Sequence, residues 1–229
     1  MKRFFLFVVA FLMLSSSAMA ESVKGKFGVT LRGGASHIFN NEFTDAGIGL
    51  ILDEEHILLD KEIKSRIGWA GGGGFMYGIT DNLAVTFDVM YLKVKLEASG
   101  VGVNENFATA KTVDLSVGAQ WRFMPKSTFV PYVGAGFDYL WNKLDYDVEG
   151  YGPPPYMSPS LEVGSTYGVH VSAGADYFFT PNIALNAEVR SLFSTKSEAT
   201  LKWAYGQSSL AEYNPTNISG FVGVRFFFP

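Results

Sequence analysis

The chain contains no cysteine, so neither a disulfide nor a thiolate metal site holds it together. Histidine is nearly as scarce: His37, His56 and His170 stand far apart, with no metal-ligand spacing among them. There is no glycine-rich phosphate loop and no heptad repeat. No cofactor or metal is expected, and no enzymatic activity. Charged residues make up only 17% of the chain, against about 25% in an average soluble domain. The formal net charge is −4, which argues against nucleic acid as a partner, because that calls for a basic patch. After residue 20 no uncharged run approaches the roughly 18 residues of a helical membrane span.

What is present begins with a leader. Lys2 and Arg3 precede an apolar run from Phe4 to Leu14, and Ala18-Met19-Ala20 is a small-x-small cleavage site. Residues 1–20 thus have the three parts of a secretory signal peptide, and the mature domain is expected over 21–229. Aromatics are 15% of the chain and Gly numbers 25. An exported, aromatic-rich and glycine-rich chain without disulfides or a spanning helix suits a closed transmembrane sheet, since lipid leaves no backbone polar group unpaired.

The dominant period is two. In Leu83 to Tyr91, the residues Leu83, Val85, Phe87, Val89 and Tyr91 share one face, and Ala84, Thr86, Asp88 and Met90 the other. Such alternation is strand, not helix. Eight segments read this way, near 25–36, 64–78, 83–97, 110–124, 129–143, 162–179, 183–197 and 217–228. Three links are tight, at 80–82, 124–128 and 180–182, and four are long, near 37–63, 98–109, 144–161 and 198–216. Short turns alternating with long loops mark an outer-membrane barrel. The expected fold is therefore all-β: an eight-stranded antiparallel transmembrane β-barrel in the cell outer membrane, surrounded by its lipid. An echo at an offset of 100 residues relates Tyr77, Thr80, Asn82, Ala84 and Val89 to Tyr177, Thr180, Asn182, Ala184 and Val189, with Asp88 answered by Glu188.

Energetics orient the faces. A lysine or arginine facing lipid at mid-membrane costs about 2–4 kcal/mol, and several would exceed a folding stability of about 5–15 kcal/mol. The second face, small and polar, must line the lumen. Asp88, Asp114, Asp138, Asp176 and Glu188 are expected to pair there with Arg32, Arg122, Arg190 and Arg225. Gly71 to Gly74, Gly134, Gly136, Gly168 and Gly174 are expected to relieve crowding in so narrow a cylinder. A water-filled channel of porin width does not fit this strand number.

Pro131-Tyr132-Val133-Gly134-Ala135-Gly136 resembles a strand segment of the outer-membrane protein W (OmpW) family, and the stretches from Thr80 and Thr180 resemble its periplasmic turns. The resemblance covers most of 21–229 in layout. It implies passage of small hydrophobic molecules across the outer membrane; the alternative is a structural or adhesive barrel whose loops bind a partner. The last strand ends in the aromatic Phe228, the feature that barrel-insertion machinery reads, although Pro229 follows it.

Two further patterns bear on function. The loop segment Gly47 to Leu59 is apolar, and Ile48, Leu50, Leu52, Ile57 and Leu59 form either a candidate apolar mouth for a solute or a hairpin packed on its neighbours. His170-Val171-Ser172 resembles the His-x-Ser of lipid A deacylases, with Glu188 as the nearest acid, but Ala173 stands where that family has asparagine. A lipid-modifying enzyme is the least favoured reading.

Overall fold

Alternation gives each strand two chemically distinct faces; pairing register then decides what each face meets. The structure, a computed structural model, describes residues 22–39, 62–100, 103–146, 160–203 and 206–229. The leader, residues 1–20, lies outside them, as do Ile48, Leu50, Leu52, Ile57 and Leu59.

The elements, all strands, are β1 (Phe27–Ile38), β2 (Glu62–Ser65), β3 (Gly68–Gly78), β4 (Leu83–Gly100), β5 (Val103–Arg122), β6 (Phe129–Tyr146), β7 (Ser160–Val163), β8 (Thr166–Thr180), β9 (Ile183–Ser194), β10 (Ser197–Trp203), β11 (Gly206–Tyr213) and β12 (Asn217–Phe228). Eight of them form the barrel wall in the order β3-β1-β12-β9-β8-β6-β5-β4, and β4 pairs back on β3 to close it. Every ladder is antiparallel, and the first and last strands meet with Phe27 opposite Phe228.

Several boundaries differ from the sequence reading. The second segment breaks at Arg66 and Ile67, so that β2 continues along β4 while β3 turns to β1. The link near 98–109 is the tip of one long hairpin, since β4 and β5 stay paired to Gly100↔Val103. The link near 198–216 holds the β10–β11 hairpin, which joins β7 in a separate three-stranded sheet.

Outward residues form the lipid-facing band. Val85, Phe87 and Val89 are exposed, whereas Ala84, Thr86, Asp88 and Met90 between them are buried. On β6 the aromatic edges are Phe129 and Trp141, both exposed. At about 3.3 Å per residue and a tilt of about 40°, the climb between them is about 30 Å, close to the roughly 25 Å apolar band of such barrels.

The inward face carries its charges in the middle and apolar clusters toward both ends, which corrects the expectation of a small and polar lining. The turn end is closed by an apolar layer of Val23, Met76, Ala84, Val130, Phe178, Ala184 and Phe227, with Phe178 and Phe227 stacked at 5.3 Å. Val23 arrives because Gly25, at φ +73°, lets the chain before β1 fold under the wall, where its N–H bonds the Gly78 carbonyl at 2.8 Å. Ala70, Met90, Leu92 and Phe221 form another apolar cluster. Ile38, Val94, Leu96, Ala110, Leu144 and Tyr213 close the loop end. Near the lumen ends, fewer walls face a given side chain with a counter-charge, so apolar filling excludes water at lower cost than an ion would.

Glycines make room for particular side chains. A Cβ at Gly136 would lie 2.6 Å from the His170 ring, and one at Gly174 would lie 2.6 Å from the Tyr132 phenol. A Cβ at Gly74 would overlap the Asp88 carboxylate. Gly71 and Gly73 do not relieve the lumen: they share the outward face of β3 with Trp69 and Phe75, because only every second residue points inward.

Candidate functional site

The candidate site is the buried ion network across the lumen, and strand alternation places all nine of its charged residues inward. At its turn-side level, Asp176 of β8 is fully buried. Its Oδ2 accepts from Arg122 Nη1 of β5 at 2.8 Å and from Arg225 Nη1 of β12 at 2.7 Å. Its Oδ1 accepts from Asn186 Nδ2 at 2.7 Å. Arg225 also donates through Nε to Thr30 Oγ1 at 2.8 Å and lies over the Tyr132 ring. Arg122 faces the Phe227 ring of the apolar plug below.

One level up, Arg32 of β1 spans the lumen. Nη2 meets Asp88 Oδ1 at 2.8 Å and Nη1 meets Glu188 Oε1 at 2.7 Å. The two acids related by the 100-residue echo thus clamp a single guanidinium from different walls. The echoed turns share chemistry too: the carbonyls of Asn82 and Asn182 each accept a backbone N–H, from Arg122 at 2.7 Å and from Phe227 at 2.8 Å. The second Glu188 oxygen accepts from the Tyr132 hydroxyl at 2.8 Å, and that hydroxyl accepts from Asn186 at 2.8 Å.

The third group joins Arg190 of β9 to Asp114 Oδ2 at 3.1 Å and, closely, to Asp138 Oδ1. His170 Nδ1 stands 2.9 Å from both Asp138 oxygens. Five carboxylates therefore face four guanidiniums, and neutral donors on Tyr132 and Asn186 serve the surplus negative charge. The network is least complete along β5, where Asp114 Oδ1, Ser116 Oγ and Gln120 Oε1 have no protein partner.

Sequence reasoning left Tyr132, Asn186, Thr30 and His170 out of this network. Their signal was parity: each occupies an inward position next to at least one charged residue or glycine on the same face. The acid beside His170 is Asp138 on the adjacent β6, not Glu188, which is taken by Arg32 and Tyr132. None of the hydrogen bonds of His170 reaches Ser172, and both side chains point away from lipid. The deacylase-like pattern is therefore not assembled as a nucleophile and base.

At the loop end, among the described residues, the backbone ladder of the wall is interrupted between β6 and β7. The β6–β8 ladder stops at Leu140↔Thr166, while β6 runs on to Tyr146 and β7 pairs with β10 instead. Asn142 bridges the gap, its Nδ2 lying 3.3 Å from the Gly164 carbonyl and 3.0 Å from Thr166 Oγ1. Both edges reach the apolar cluster inside: Leu144 of β6 belongs to it and Val163 of β7 packs against it. Tyr213 caps this cluster with a buried hydroxyl, and burial, outweighing a hydrogen bond with Thr112, pushes its pKa up to about 12.

Beyond the upper aromatic edge, Asp145 is bonded by Lys111 and, at 3.0 Å, by Lys143. The hydrogen bond from Lys111, then that from Lys143, together with the charge of both lysines, holds its carboxyl below the usual carboxylate range. Because the folded pKa is depressed, this ion pair persists as pH falls through the ordinary Asp value near 4 and is lost only on further acidification. In Lys111→Gln the carboxyl-carbon NMR titration of Asp145 is expected to move up toward that value; an unmoved midpoint would dismiss the contact.

Comparison with known proteins agrees with this architecture. The chain resembles the crystal structure of outer membrane protein OprG from Pseudomonas aeruginosa at 15% identity and TM-score 0.70, over 93% of this chain and 99% of that one. It resembles AlkL, determined by solid-state NMR in lipid bilayers, at 13% identity and TM-score 0.54, over 93% and 94%. The Neisserial surface protein A (NspA) matches at 18% identity and TM-score 0.51, over 90% and 98%. No curated protein sequence matches the chain. The family described as outer membrane protein beta-barrel domain matches over residues 6–226. A closed eight-stranded barrel with an apolar outer band and a buried charged lumen, matched over nearly its whole length, places this chain in the outer membrane protein beta-barrel domain family.

Proposed function

We propose that this barrel passes small apolar molecules across the outer membrane, receiving them at the apolar cluster that closes the loop end and releasing them sideways between β6 and β7. The observation that carries this reading is the pairing of a blocked lumen with an interrupted wall. Below that cluster, the guanidinium–carboxylate network and the Val23–Phe178–Phe227 plug leave a solute no straight path to the periplasm. Leu144 of β6 belongs to the cluster and Val163 of β7 packs against it, so apolar side chains reach both edges where the ladder stops. An apolar solute gains on leaving water for such a surface, and hydrocarbon lies directly outside.

The test uses the absence of cysteine. Asn142→Cys with Gly164→Cys ties the edges together under oxidation. In cells carrying this barrel, oxidised pairs are expected to take up a small apolar fluorescent dye as slowly as cells without the barrel, and dithiothreitol is expected to restore the rate. Equal rates in both redox states would sink the sideways route. A steady ionic current through single barrels in planar bilayers would contradict the blocked lumen. The separate β7–β10–β11 sheet favours a second reading, a surface barrel whose loops bind a partner. That reading predicts no dye flux in either state.

A further inference from the structure

The outer wall carries one concentrated patch of positive charge. Register sets Trp69 opposite Lys93, Lys93 opposite Lys111, and Lys111 opposite Lys143. Three lysines therefore occupy one continuous row across β4, β5 and β6, on neighbouring strands about 4.8 Å apart. Lys95 follows Lys93 on the same outward face of β4. Like charges placed directly opposite each other destabilise a sheet. Asp145 answers Lys111 and Lys143. Among the described residues, the outward faces of β1, β8, β9 and β12 carry no lysine or arginine, so this cationic patch is confined to one side of the barrel.

Depth specifies the partner. One step toward the turns, the adjoining row is Tyr91–Val113–Trp141, and Trp69 packs against Tyr91 at 5.5 Å. These aromatics mark the upper hydrocarbon edge. The lysine row lies two residues beyond that edge on each strand, with Lys93 and Lys111 half-buried and the side chain of Lys143 72% exposed. Its ammonium groups thus stand at the level of the lipid headgroups on the loop side, with their stems over apolar wall.

The geometry points to a binding site for a phosphate-bearing lipid headgroup of the outer leaflet, held by Lys93, Lys111 and Lys143 with Lys95 beside them and with Trp69, Tyr91 and Trp141 against the upper acyl chain. Phosphate is an anion suited to a row of ammonium groups at headgroup level, and acyl chains give a lipid what a free phosphate lacks: contact with the aromatic row.

The experiment takes the folded barrel in detergent micelles and measures bound lipid by native mass spectrometry, with diphosphorylated or fully dephosphorylated lipid A as probe and inorganic phosphate as competitor. The barrel is expected to retain the diphosphorylated form at least tenfold better. Each lysine removed is expected to weaken retention by about fivefold, the equivalent of about 1 kcal/mol per basic residue at a membrane surface. Lys93→Gln/Lys111→Gln/Lys143→Gln should then bind both lipids alike, and Lys24→Gln/Lys126→Gln, altered near the turn end, should bind as the parent does. If the triple variant does not fold, Lys143→Gln alone reads the same loss, because its exposed side chain carries little packing. Equal retention of both lipids by the parent, undiminished binding by the lysine variants, or displacement of the lipid by an equal concentration of inorganic phosphate would overturn the assignment.

Discussion

Asp176→Ala is expected to destabilise the folded barrel by about 3–5 kcal/mol, the usual cost of removing one partner from a buried ion pair. Asp176 is the only carboxylate that the described contacts give to Arg122 and Arg225, both within 2.8 Å of its Oδ2. Without it two guanidiniums remain buried at one level of the lumen, with Thr30, Met76 and two aromatic rings as their remaining side-chain contacts. Asn186 loses its acceptor as well. The measurement is urea unfolding of the barrel in lipid vesicles, followed by tryptophan fluorescence. Asp176→Asn, which keeps the shape and removes the charge, separates electrostatics from packing. If both variants unfold at the parent's midpoint, the network does not hold the walls together.

A comparable loss is expected where no charge is involved. At Gly34 an added Cβ would run into the carbonyl oxygen of Gly220, and at Gly223 into that of Leu31. Both collisions are with backbone, and both fall on the β1–β12 ladder that joins the two ends of the chain. A flexible side chain can swing aside; a ladder carbonyl cannot move without breaking its own pairing. Gly34→Ala is expected to cost about 3 kcal/mol, the upper part of the range for overpacking, and Gly34→Val more. The readout is the fraction of chain that reaches the folded, heat-shifted band on a gel after refolding into detergent. Gly220→Ala on the same ladder is the control, because an added Cβ there meets nothing within 4 Å. If Gly34→Ala folds as readily as Gly220→Ala, the closure ladder is looser than this register implies.

The sequence showed more of the wall than of its contents. Alternation along Leu83–Tyr91 assigns Asp88 inward and Phe87 outward without reference to any other strand. The pairing partners were not legible in the same way. Arg32 and Glu188 stand 156 residues apart, and Arg225 and Asp176 stand 49 apart. Which walls face each other depends on strand stagger around the closed cylinder, and no local pattern encodes it. The same gap made Glu188 look like the acid for His170, when the β6–β8 register brings Asp138 there instead. The β10–β11 hairpin passed for loop because Ser197 to Tyr213 mixes small, polar and charged residues without firm alternation; β7, more than thirty residues away in sequence, supplies its remaining edge. The lysine row was equally hidden, since Lys93, Lys111 and Lys143 become neighbours only after two hairpin registers are set.

The amino-acid order by itself determined the strand faces, the eight strands of the wall and the placement of the acids and arginines inside. Each of these follows from a residue's position relative to its own neighbours, where the two-residue pleat and the cost of charge in hydrocarbon act directly. Tertiary structure alone decided which arginine meets which acid, where the lumen is apolar, where the wall opens and where lysines align. Those outcomes depend on closure, which sets the stagger of all eight strands together and brings side chains from distant segments within ångströms of each other.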